Sequence, residues 1–442
     1  MSNPHIVIVG GGFGGLKLAQ TLEKLIKLGN PTEVTLISRD NFLLFTPFLT
    51  EALGGMLDEA DVISPLRAFL RKTRFVMGEV TSIDMQAKTV TYRRPLTQET
   101  ETVQADQLIL SLGSTTSFQG QKEIEKYAFT LKSLDDATLL RNHLMACLEQ
   151  ANEESDGVAR QSFLNTVVVG AGYTGVEAAG AIRDLMKDAA RDYPHVRPDE
   201  IRVVLMDMAE EILPSIDPSL AKYALRQIQK RGIEMRLGQK IGKVDDHSIT
   251  LSKGEYIPTR TVLWSAGVSP SPLTKSLNCE KDRKGAIIVE PTMAVKGMDG
   301  VWAMGDCAHI PNLLEGGRPY TGTAQNADRE AKQLAHNVIA VLRGREAKPF
   351  LFRSLGEFVN LGHHVAVAQI KWFKFSGFGA WFLWRTVYLA KIPHWSRKAR
   401  VVSGWTLDLL FGRNSVESET PRLLRNKTDL KRRTDEAAHA IE

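Results

Sequence analysis

The sequence predicts an α/β fold with two Rossmann-like dinucleotide-binding domains and a C-terminal amphipathic region. Two observations predict the domains: an apolar strand runs into a glycine-rich turn and a helix at residues 5–22, and the same order recurs at residues 166–186. A third predicts the C-terminal region, because residues 358–407 contain many cations and tryptophans but no acid. The 442 residues suffice for two or three domains, each with a buried core.

The first glycine-rich turn follows the strand predicted at residues 5–9. Its glycines have the GxGxxG spacing, and they are Gly10, Gly12 and Gly15. Glycine at these positions permits a tight turn, close approach of the backbone to a pyrophosphate, and close packing of the next helix on the strand. The N-terminus of that helix then binds the phosphate. Alone, this motif would be weak evidence, because many glycine-rich turns bind nothing.

A second turn with the same spacing makes the nucleotide-binding interpretation much more specific. Its glycines are Gly170, Gly172 and Gly175. The next apolar strand, IRVVLMD, ends in Asp207, whose carboxylate can accept hydrogen bonds from ribose hydroxyls and repels a 2′-phosphate. NADH is therefore favoured over NADPH. The segment KDAARDYPHVRP lengthens this unit and is predicted to be an extended helix and a loop insertion.

The second strand of the first unit, EVTLISRDNF, lacks the acid that usually ends such a strand. Ser38 and Arg39 stand at that position. Ser38 can still bond a ribose hydroxyl, and Arg39 could reach a phosphate or the face of an adenine. The alternative is a polar strand end with a solvated arginine.

A third motif, VWAMGDCAHIP at residues 301–311, is an apolar strand that runs into Gly305 and Asp306. With the two glycine-rich turns it resembles the two-dinucleotide-binding-domain flavoproteins. The resemblance implies that the N-terminal unit binds FAD and that an inserted second unit binds the nicotinamide nucleotide. It further implies that Asp306 bonds the ribityl–phosphate region of the flavin, although an acid in a turn or helix cap would look the same. The segments QLILSLGS and TVLWSAGV look like the crossover strands that close the two units.

Within that group the chain resembles most closely the type II NADH dehydrogenases, which are single-chain NADH:quinone oxidoreductases. The resemblance extends from about His5 to Arg413. It rests on the following segments, in this order: NFLLFTPFLTEALGGMLDEAD, LKSLDDATLLRNHL, TAQNADREAKQLAHNV, FVNLGHHVAVAQI and AWFLWRTVYLAK. It implies an FAD-dependent enzyme that passes a hydride from NADH to FAD and two electrons on to a membrane quinone, without proton pumping.

The resemblance also implies a set of residues that bind the cofactors. In the FAD-binding unit these are Gly10, Gly12, Phe13, Gly14, Gly15, Ser38, Arg39, Thr46, Val80, Ser111, Gly113, Asp306 and Ala324. In the NADH-binding unit they are Gly170, Gly172, Tyr173, Thr174, Gly175, Asp207, Ala266 and Gly267.

Glu177 and Gln325 are the catalytic residues that the resemblance implies. Glu177 occupies a position where the family has a glutamate near the nicotinamide and flavin, a proposed proton donor or relay. The structural alternative is an acid that a helix N-terminus favours. Ala324 and Gln325 match the family's helix start beside the flavin and the quinone. The family commonly repeats a glutamine four residues later, where this chain has Arg329, which could bond a quinone oxygen, narrow the site or redirect it.

Other redox and metal chemistry receives little support from the sequence. The three cysteines, Cys147, Cys279 and Cys307, are far apart, which argues against a disulfide framework and suits a reducing compartment. Disulfide reductases of this fold have a close redox pair, and sulfide:quinone reductases need three placed cysteines, so we interpret these as ordinary small residues. His363 and His364 are predicted on one strand, where adjacent side chains point to opposite faces, and no metal site is expected.

Residues 358–407 contain five of the seven tryptophans and seven Lys or Arg, with no Asp or Glu. Removing these seven charges from the net +5 leaves −2 on the rest of the chain. Trp381, Trp384 and Tyr388 have the spacing of one helix face, and a second helix pattern follows Pro393. Indoles prefer the headgroup depth and cations attract anionic lipid. The segment is therefore predicted to be an amphipathic membrane-anchoring region that lies in the membrane plane.

Two other interpretations of this segment remain open. It could form a core or dimer helix pair, in which case the chain would be a homodimer. Aromatic and basic residues also bind nucleic acid, but this is the weaker alternative, and no nucleic-acid partner is expected.

The expected organisation has five parts, one of which consists of two segments. They are an FAD-binding domain at 1–120 and 286–355, a helical connector at 121–160, an NADH-binding domain at 161–285, a membrane-binding region at 356–413 and a mobile charged tail at 414–442. Because the first strand begins almost at once and no apolar run reaches the roughly 20 residues of a spanning helix, we expect no signal peptide and a peripheral membrane protein on the cytoplasmic face.

Two further functions remain open from the sequence. One is a soluble NADH:acceptor reductase that serves a small redox protein, and the other is a flavin-bearing NADH sensor or partner-binding protein. Turnover with a soluble quinone would separate the enzyme from the sensor, and liposome binding would separate the quinone reductase from the soluble reductase.

Overall fold

A computed structural model describes residues 3–26, 32–392 and 395–411. The chain divides into two compact units, each assembled from separate stretches of sequence. Unit 1 consists of the described part of Met1–Leu44 with Ile63–Ser117 and Val268–Leu355. Unit 2 consists of Phe45–Val62, Phe118–Gly267 and the described residues from 356 onward. The tail predicted at residues 414–442 lies outside the described residues.

The strands are named in chain order. The first ten are β1 (His5–Val9), β2 (Glu33–Ser38), β3 (Phe42–Leu44), β4 (Ile63–Pro65), β5 (Arg74–Met77), β6 (Glu79–Asp84), β7 (Thr89–Arg93), β8 (Thr100–Gln104), β9 (Gln107–Leu110) and β10 (Ser114–Thr116). Next come β11 (Asn165–Val169), β12 (Arg202–Met206), β13 (Ile233–Arg236), β14 (Ile241–Val244), β15 (Ser248–Leu251), β16 (Tyr256–Pro258) and β17 (Thr261–Trp264). The last are β18 (Val268–Pro270), β19 (Ile287–Ile288), β20 (Val301–Ala303), β21 (Ala308–His309), β22 (Glu357–Asn360), β23 (Ala366–Ile370) and β24 (Phe373–Gly377).

The α-helices are named in the same way. They are α1 (Phe13–Leu25), α2 (Leu49–Leu53), α3 (Lys122–Tyr127), α4 (Leu134–Glu153), α5 (Gly157–Leu164), α6 (Tyr173–Ala189), α7 (Pro218–Lys230), α8 (Leu273–Ser276), α9 (Ala324–Leu342), α10 (Phe378–Lys391) and α11 (Trp395–Phe411). Short 3-10 turns include Thr46–Phe48, Ala190–Asp192 and Gly305–Cys307.

Unit 1 is built on a parallel sheet with the strand order β20-β9-β1-β2-β5. Strands β1 and β9 are almost continuous runs of buried apolar residues, because a parallel sheet is covered on both faces. Helices α1 and α9 pack together and contribute to the same hydrophobic core as the sheet. An ion pair of 3.5 Å between Lys17 and Asp328 joins their outer surfaces.

Unit 2 repeats this plan with a parallel sheet of order β13-β12-β11-β17. Strand β11 lies between β12 and β17, and helix α6 packs on the sheet. The sequence prediction of two Rossmann-like domains, with the second inserted in the first, is therefore confirmed. The stretch Phe45–Val62 also belongs to unit 2, where α2 packs against α4 and α6.

The C-terminal part of unit 2 is an antiparallel sheet, β22-β23-β24, followed by α10 and α11. Helix α10 packs on all three strands. The strand prediction for His363 and His364 was wrong: both lie in the turn between β22 and β23 with positive φ angles of 41° and 61°. Their rings therefore stack, with centroids 5.5 Å apart, instead of pointing to opposite faces.

Candidate active site

The first glycine-rich turn joins β1 to α1 in unit 1, and its glycines differ in what a side chain would meet. A Cβ at Gly10, where φ is +108°, would lie 2.1 Å from the Ser111 carbonyl oxygen. A Cβ at Gly15 would lie 1.8 Å from the Gly10 carbonyl oxygen, so the helix could not pack on the strand. A Cβ at Gly12 would meet no described atom within 4 Å, so Gly12 borders open space. This is the division of roles that a pyrophosphate-binding turn requires.

The second turn, between β11 and α6 in unit 2, reproduces the first closely. Gly170 has a φ of +107°, and a Cβ there would lie 2.9 Å from backbone atoms of Ala266. A Cβ at Gly175 would lie 1.7 Å from the Gly170 carbonyl oxygen, whereas one at Gly172 would meet no described atom within 4 Å. Both turns therefore fit a dinucleotide by the same steric test.

Several helices of the chain have a side-chain N-cap, which the helices that follow the two turns lack. The side chains of Ser133, Asp217 and Thr323 accept hydrogen bonds from the first-turn N–H groups of α4, α7 and α9. Helices α1 and α6 have Gly12 and Gly172 at their N-caps, and within the described residues no side chain caps either helix. Their N–H groups can therefore bind a phosphate, as the helix dipole also favours.

Asp207 follows β12 and is oriented by the glycine-rich turn beside it. Its Oδ2 accepts a hydrogen bond from the Ala171 N–H at 2.6 Å, and its Oδ1 accepts one from the Ala209 N–H at 2.9 Å. In unit 1, Ser38 has the corresponding place, with its Oγ 2.6 Å from where a Gly11 Cβ would be. Arg39 is largely exposed and pairs with Asp40 at 3.3 Å.

The other residues predicted to contact the nucleotides lie near the two turns or within the units that contain them. Ser111 and Gly113 follow β9, and Val80 pairs with Tyr92 across strands β6 and β7. In unit 2 the Tyr173 hydroxyl donates to Glu357 and accepts from the Ser215 hydroxyl at 3.1 Å. Phe13 and Gly14 open α1, and Thr174 opens α6 beside Tyr173. Ala266 and Gly267 follow β17.

The Gly305–Asp306 motif follows β20 and contacts residues near and within α9. The Ser114 hydroxyl donates to Asp306 Oδ2 at 2.5 Å, and a Cβ at Gly322 would lie 2.7 Å from Asp306 Oδ1. The Gly305 N–H donates to Glu330 Oε2 at 2.7 Å. Glu330 is buried within α9, and this burial, with Asp306 nearby, raises its pKa to about 7 although the bond from Gly305 opposes the rise. No sequence pattern singled out Glu330, because an acid in the middle of a helix usually faces solvent.

Gln325 and Arg329 both contact the segment that ends unit 1. Gln325 Oε1 accepts hydrogen bonds from the Leu355 N–H at 3.2 Å and the Ser354 hydroxyl at 3.4 Å. The Arg329 guanidinium lies 5.7 Å from the centre of the Phe352 ring. Both side chains are partly exposed, as is Ala324.

Glu177 lies in the first turns of α6, in unit 2. Its Oε1 accepts a hydrogen bond from the Asn360 N–H at 2.8 Å. The protein removes most of the water that a carboxylate needs, and this burial, reinforced by Glu51, raises the pKa of Glu177 to about 8 against the effect of the Asn360 bond. Part of the residue still reaches solvent. Glu177 is therefore protonated at neutral pH and able to give up a proton. Thr46 also lies in unit 2, in the 3-10 turn before α2.

The buried and exposed faces of the C-terminal helices differ from the prediction. Trp381, Trp384 and Trp405 are buried, and Phe48 packs against the last two with ring centroids 5.7 Å and 5.6 Å away. The prediction that the Trp381, Trp384 and Tyr388 face meets lipid was therefore wrong: it packs against protein. Other large aromatic residues are exposed instead, namely Trp372, Phe373, Phe375, Phe378, Phe382 and Trp395. We name these six residues the aromatic surface.

Comparison with known proteins gives two family matches that together span most of the chain. The pyridine nucleotide-disulphide oxidoreductase family matches residues 4–331, and the NDH2 C-terminal domain matches residues 355–414. The chain is 33% identical over 451 residues to the type II NADH:quinone oxidoreductase Ndh of Mycobacterium tuberculosis, covering 99% of this chain and 94% of that protein. It is 33% identical over 423 residues to NdhA of the same organism, covering 92% and 87%.

A solved structure supports the fold at greater sequence distance. The structure of NDH2 from Plasmodium falciparum in complex with NADH superimposes with a TM-score of 0.86 at 20% identity, covering 94% of this chain and 100% of that chain. The chain belongs to the type II NADH:quinone oxidoreductases of the pyridine nucleotide-disulphide oxidoreductase family.

Proposed function

We propose that this chain transfers a hydride from NADH to FAD and two electrons from there to a membrane quinone, without pumping protons. The observation that carries the proposal is the pair of glycine-rich turns, one in each unit, which pass the same steric test for a dinucleotide. FAD, when bound, supplies the chemistry that accepts a hydride and passes electrons on. The residues of the chain bind and orient the substrates and supply a proton.

The proton balance assigns a role to Glu177. Reduction of a quinone to a quinol takes two electrons and two protons, whereas the hydride of NADH brings two electrons and one proton. One further proton must come from the protein or from water. Glu177 is protonated at neutral pH because burial raises its pKa to about 8, and its partial exposure allows water to replace the proton. We therefore propose Glu177 as the proton donor.

Gln325 and Arg329 are proposed to contact the quinone. Both are polar groups at the start of α9. Both are partly exposed, so their side chains are not buried in the core of unit 1. The Gln325 amide nitrogen can donate to a quinone oxygen while its Oε1 accepts from Leu355 and Ser354. The other residues named for FAD and NADH are proposed to keep the roles that the family resemblance implies.

A lipid surface is proposed as the partner of the aromatic surface. Trp372 and Trp395 are 74% and 83% exposed, and the Lys371 and Lys398 ammonium groups lie 5.6 Å and 5.1 Å from their respective ring centres. Indole beside ammonium suits the headgroup region of an anionic bilayer. Among the described helices, none is long and apolar enough to cross a membrane. We propose peripheral attachment, and the cytoplasmic face because the substrate NADH is an intracellular dinucleotide.

Anaerobic stopped-flow spectroscopy tests the proposed function. NADH should bleach the flavin absorbance of the FAD-loaded protein, and a quinone analogue added afterwards should restore it within the turnover time. A flavin that NADH reduces but quinone does not reoxidise would refute the quinone step and favour a reductase for a soluble acceptor. A flavin that NADH fails to reduce would refute the enzymatic proposal altogether.

A further inference from the structure

Glu51 is an acid that the fold of unit 2 buries on the short helix α2. Its side chain is 1% exposed, and its Oε2 accepts a hydrogen bond at 2.8 Å from the indole N–H of Trp405 on α11. A buried carboxylate is costly unless hydrogen bonds and a countercharge stabilise it. If the Glu51 carboxylate is charged at this position, a cation should lie nearby.

Arg385 on α10 provides the cation. It is 8% exposed, and its guanidinium lies between two indoles, 4.1 Å from the ring centre of Trp381 and 4.4 Å from that of Trp405. Thus the indole that donates to Glu51 also has the guanidinium over its face. Residues 358–407 contain no acid, so no acid of this segment lies beside Arg385. The hydrogen bond from the indole N–H and the cation on the same indole both favour the charged form of Glu51.

The same helix places Glu51 near Glu177. Helices α2 and α6 pack directly, since a Cβ at Gly54 would lie 3.3 Å from the Ala181 Cβ. Glu51 precedes Gly54 by three residues and Glu177 precedes Ala181 by four, so each acid is about one helical turn from this contact. Glu51 is the charged residue that raises the pKa of Glu177 beyond the effect of burial.

Other titratable groups surround this pair. Burial, and secondarily Glu177, raises the pKa of Tyr388 on α10 above its ordinary value, so this phenol stays protonated. Arg141 is a second buried cation, on helix α4, which packs against both α2 and α6. Phe48 packs against α10 and α11 beside this pair, with its ring centroid 6.3 Å from that of Tyr388.

We propose that Glu51 is a positioning residue for proton transfer at Glu177: its negative charge, fixed by the hydrogen bond from Trp405, keeps Glu177 protonated until the quinone takes up the proton. This inference rests on the proposed function, because it concerns the proton that completes quinol formation. The O–H bond of Glu177 breaks as the quinol O–H bond forms, the electrons come from NADH, and water then returns a proton to Glu177. Glu51 itself does not touch the substrate.

Infrared titration of the FAD-loaded protein tests the proposal without turnover. The absorption of the protonated Glu177 carboxyl is assigned by its loss in Glu177→Gln, and its midpoint should lie at about pH 8 in the unmodified protein. Glu51→Gln retains an acceptor for Trp405 but removes the charge, so the midpoint should fall by on the order of one pH unit. Asp58→Asn, an exposed acid of the same stretch, is the matched control and should leave the midpoint unchanged.

The pH profile of flavin reoxidation by quinone provides the kinetic counterpart. Its alkaline limb should move to lower pH in Glu51→Gln by the same amount and should disappear in Glu177→Gln. If Glu51→Gln does not fold, Trp405→Phe, which keeps the ring but removes the donor, should lower the midpoint. An unchanged infrared midpoint in a folded Glu51→Gln or Trp405→Phe protein would overturn the proposal. Absence of quinone reduction in the unmodified protein would instead refute the proposed function.

Discussion

Single glycines in the two turns have separable roles, which are visible in the space around each one. Gly172 borders open space in unit 2, whereas a Cβ at Gly175 would lie 1.7 Å from a backbone oxygen. A methyl group at residue 172 would therefore obstruct only a ligand that approaches the turn. A methyl group at residue 175 would displace the backbone of the turn itself.

We therefore expect Gly172→Ala to fold normally but to slow flavin reduction by NADH by roughly tenfold or more, the equivalent of about 1.4 kcal/mol. Gly175→Ala should lower the free energy of unfolding by several kcal/mol, on the order of other forced backbone clashes. Thermal unfolding and stopped-flow reduction measure the two effects. Equal loss of stability in both variants would contradict the assigned roles.

Asp207 is tied to the second turn through its bond from the Ala171 N–H. Asp207→Asn keeps an acceptor oxygen for that N–H and removes the charge that repels a 2′-phosphate. We expect the preference for NADH over NADPH to narrow by roughly tenfold, on the order of 1.4 kcal/mol. Steady-state kcat/KM for the two nucleotides measures the preference. An unmodified protein that already prefers NADPH would show that Asp207 has another role.

At the scale of elements, helix α9 combines structural and proposed functional residues. Glu330 receives the Gly305 N–H inside unit 1, whereas Gln325 and Arg329 are partly exposed. We expect Gln325→Ala and Arg329→Gln to slow flavin reoxidation by quinone by roughly tenfold or more, about 1.4 kcal/mol, and to leave reduction by NADH nearly unchanged. Lys332→Gln, which breaks only an exposed ion pair of 2.9 Å with Asp328, is the control. Equal slowing of both half-reactions would assign these residues to FAD binding or to the fold.

Substitutions on the two faces of helix α10 should have different effects. Those on the buried face should lower stability, and those on the exposed face should weaken lipid binding. Trp384 is 1% exposed, so Trp384→Ser should destabilise the protein by about 3–5 kcal/mol, as large-to-small changes in a core do. Phe378 and Phe382 on the same helix are exposed, so Phe378→Ser with Phe382→Ser should preserve the melting temperature but weaken binding to anionic liposomes.

High salt should weaken that binding without abolishing it, because it screens the lysines but not the aromatic contribution. Lys371→Glu with Lys398→Glu should remove the salt-sensitive part. These lysines are preferable to Arg397, which donates to the Ala60 carbonyl at 2.5 Å, and to Arg400, which acts with Arg397 on the pKa of Asp61. Liposome binding unaffected by the phenylalanine changes would exclude the lipid contact, and a dimer that dissociates in these variants would assign the aromatic surface to self-association.

At the scale of the whole molecule, two buried acids make stability depend on pH. Burial raises the pKa of Glu330 to about 7 and that of Glu177 to about 8, both above the ordinary value near 4.5. The folded protein therefore holds protons that the unfolded chain has lost between about pH 4.5 and pH 8. Since the folded state binds more protons in this window, the free energy of unfolding from these groups falls as pH rises through it.

Urea unfolding at several pH values measures this dependence. Glu330→Gln retains an acceptor for the Gly305 N–H and removes the ionisation, so the decline between about pH 5 and pH 7 should be shallower than in the unmodified protein. A variant with an unchanged slope would show that Glu330 ionises as easily in the folded protein as in the unfolded chain.

The sequence by itself determined the parts of this protein that depend on local geometry. A turn that must pass close to its own backbone requires glycine, so Gly10, Gly15, Gly170 and Gly175 predicted both dinucleotide units, and the family resemblance ordered them. Asp306 was likewise predicted from the motif that contains it. The residue roles in binding and catalysis remain predictions.

Only the tertiary structure decided which neighbour covers each face. Helical spacing correctly placed Trp381 and Trp384 on one side of α10, but spacing cannot distinguish a face that meets lipid from one that packs against Phe48 and strand β23. Glu51 gave no signal for the same reason, because an acid on a short helix is ordinarily solvated, whereas here the indole of Trp405, 354 residues away, donates to its buried carboxylate. Periodicity determines which residues lie together on a surface, and long-range packing determines what that surface contacts.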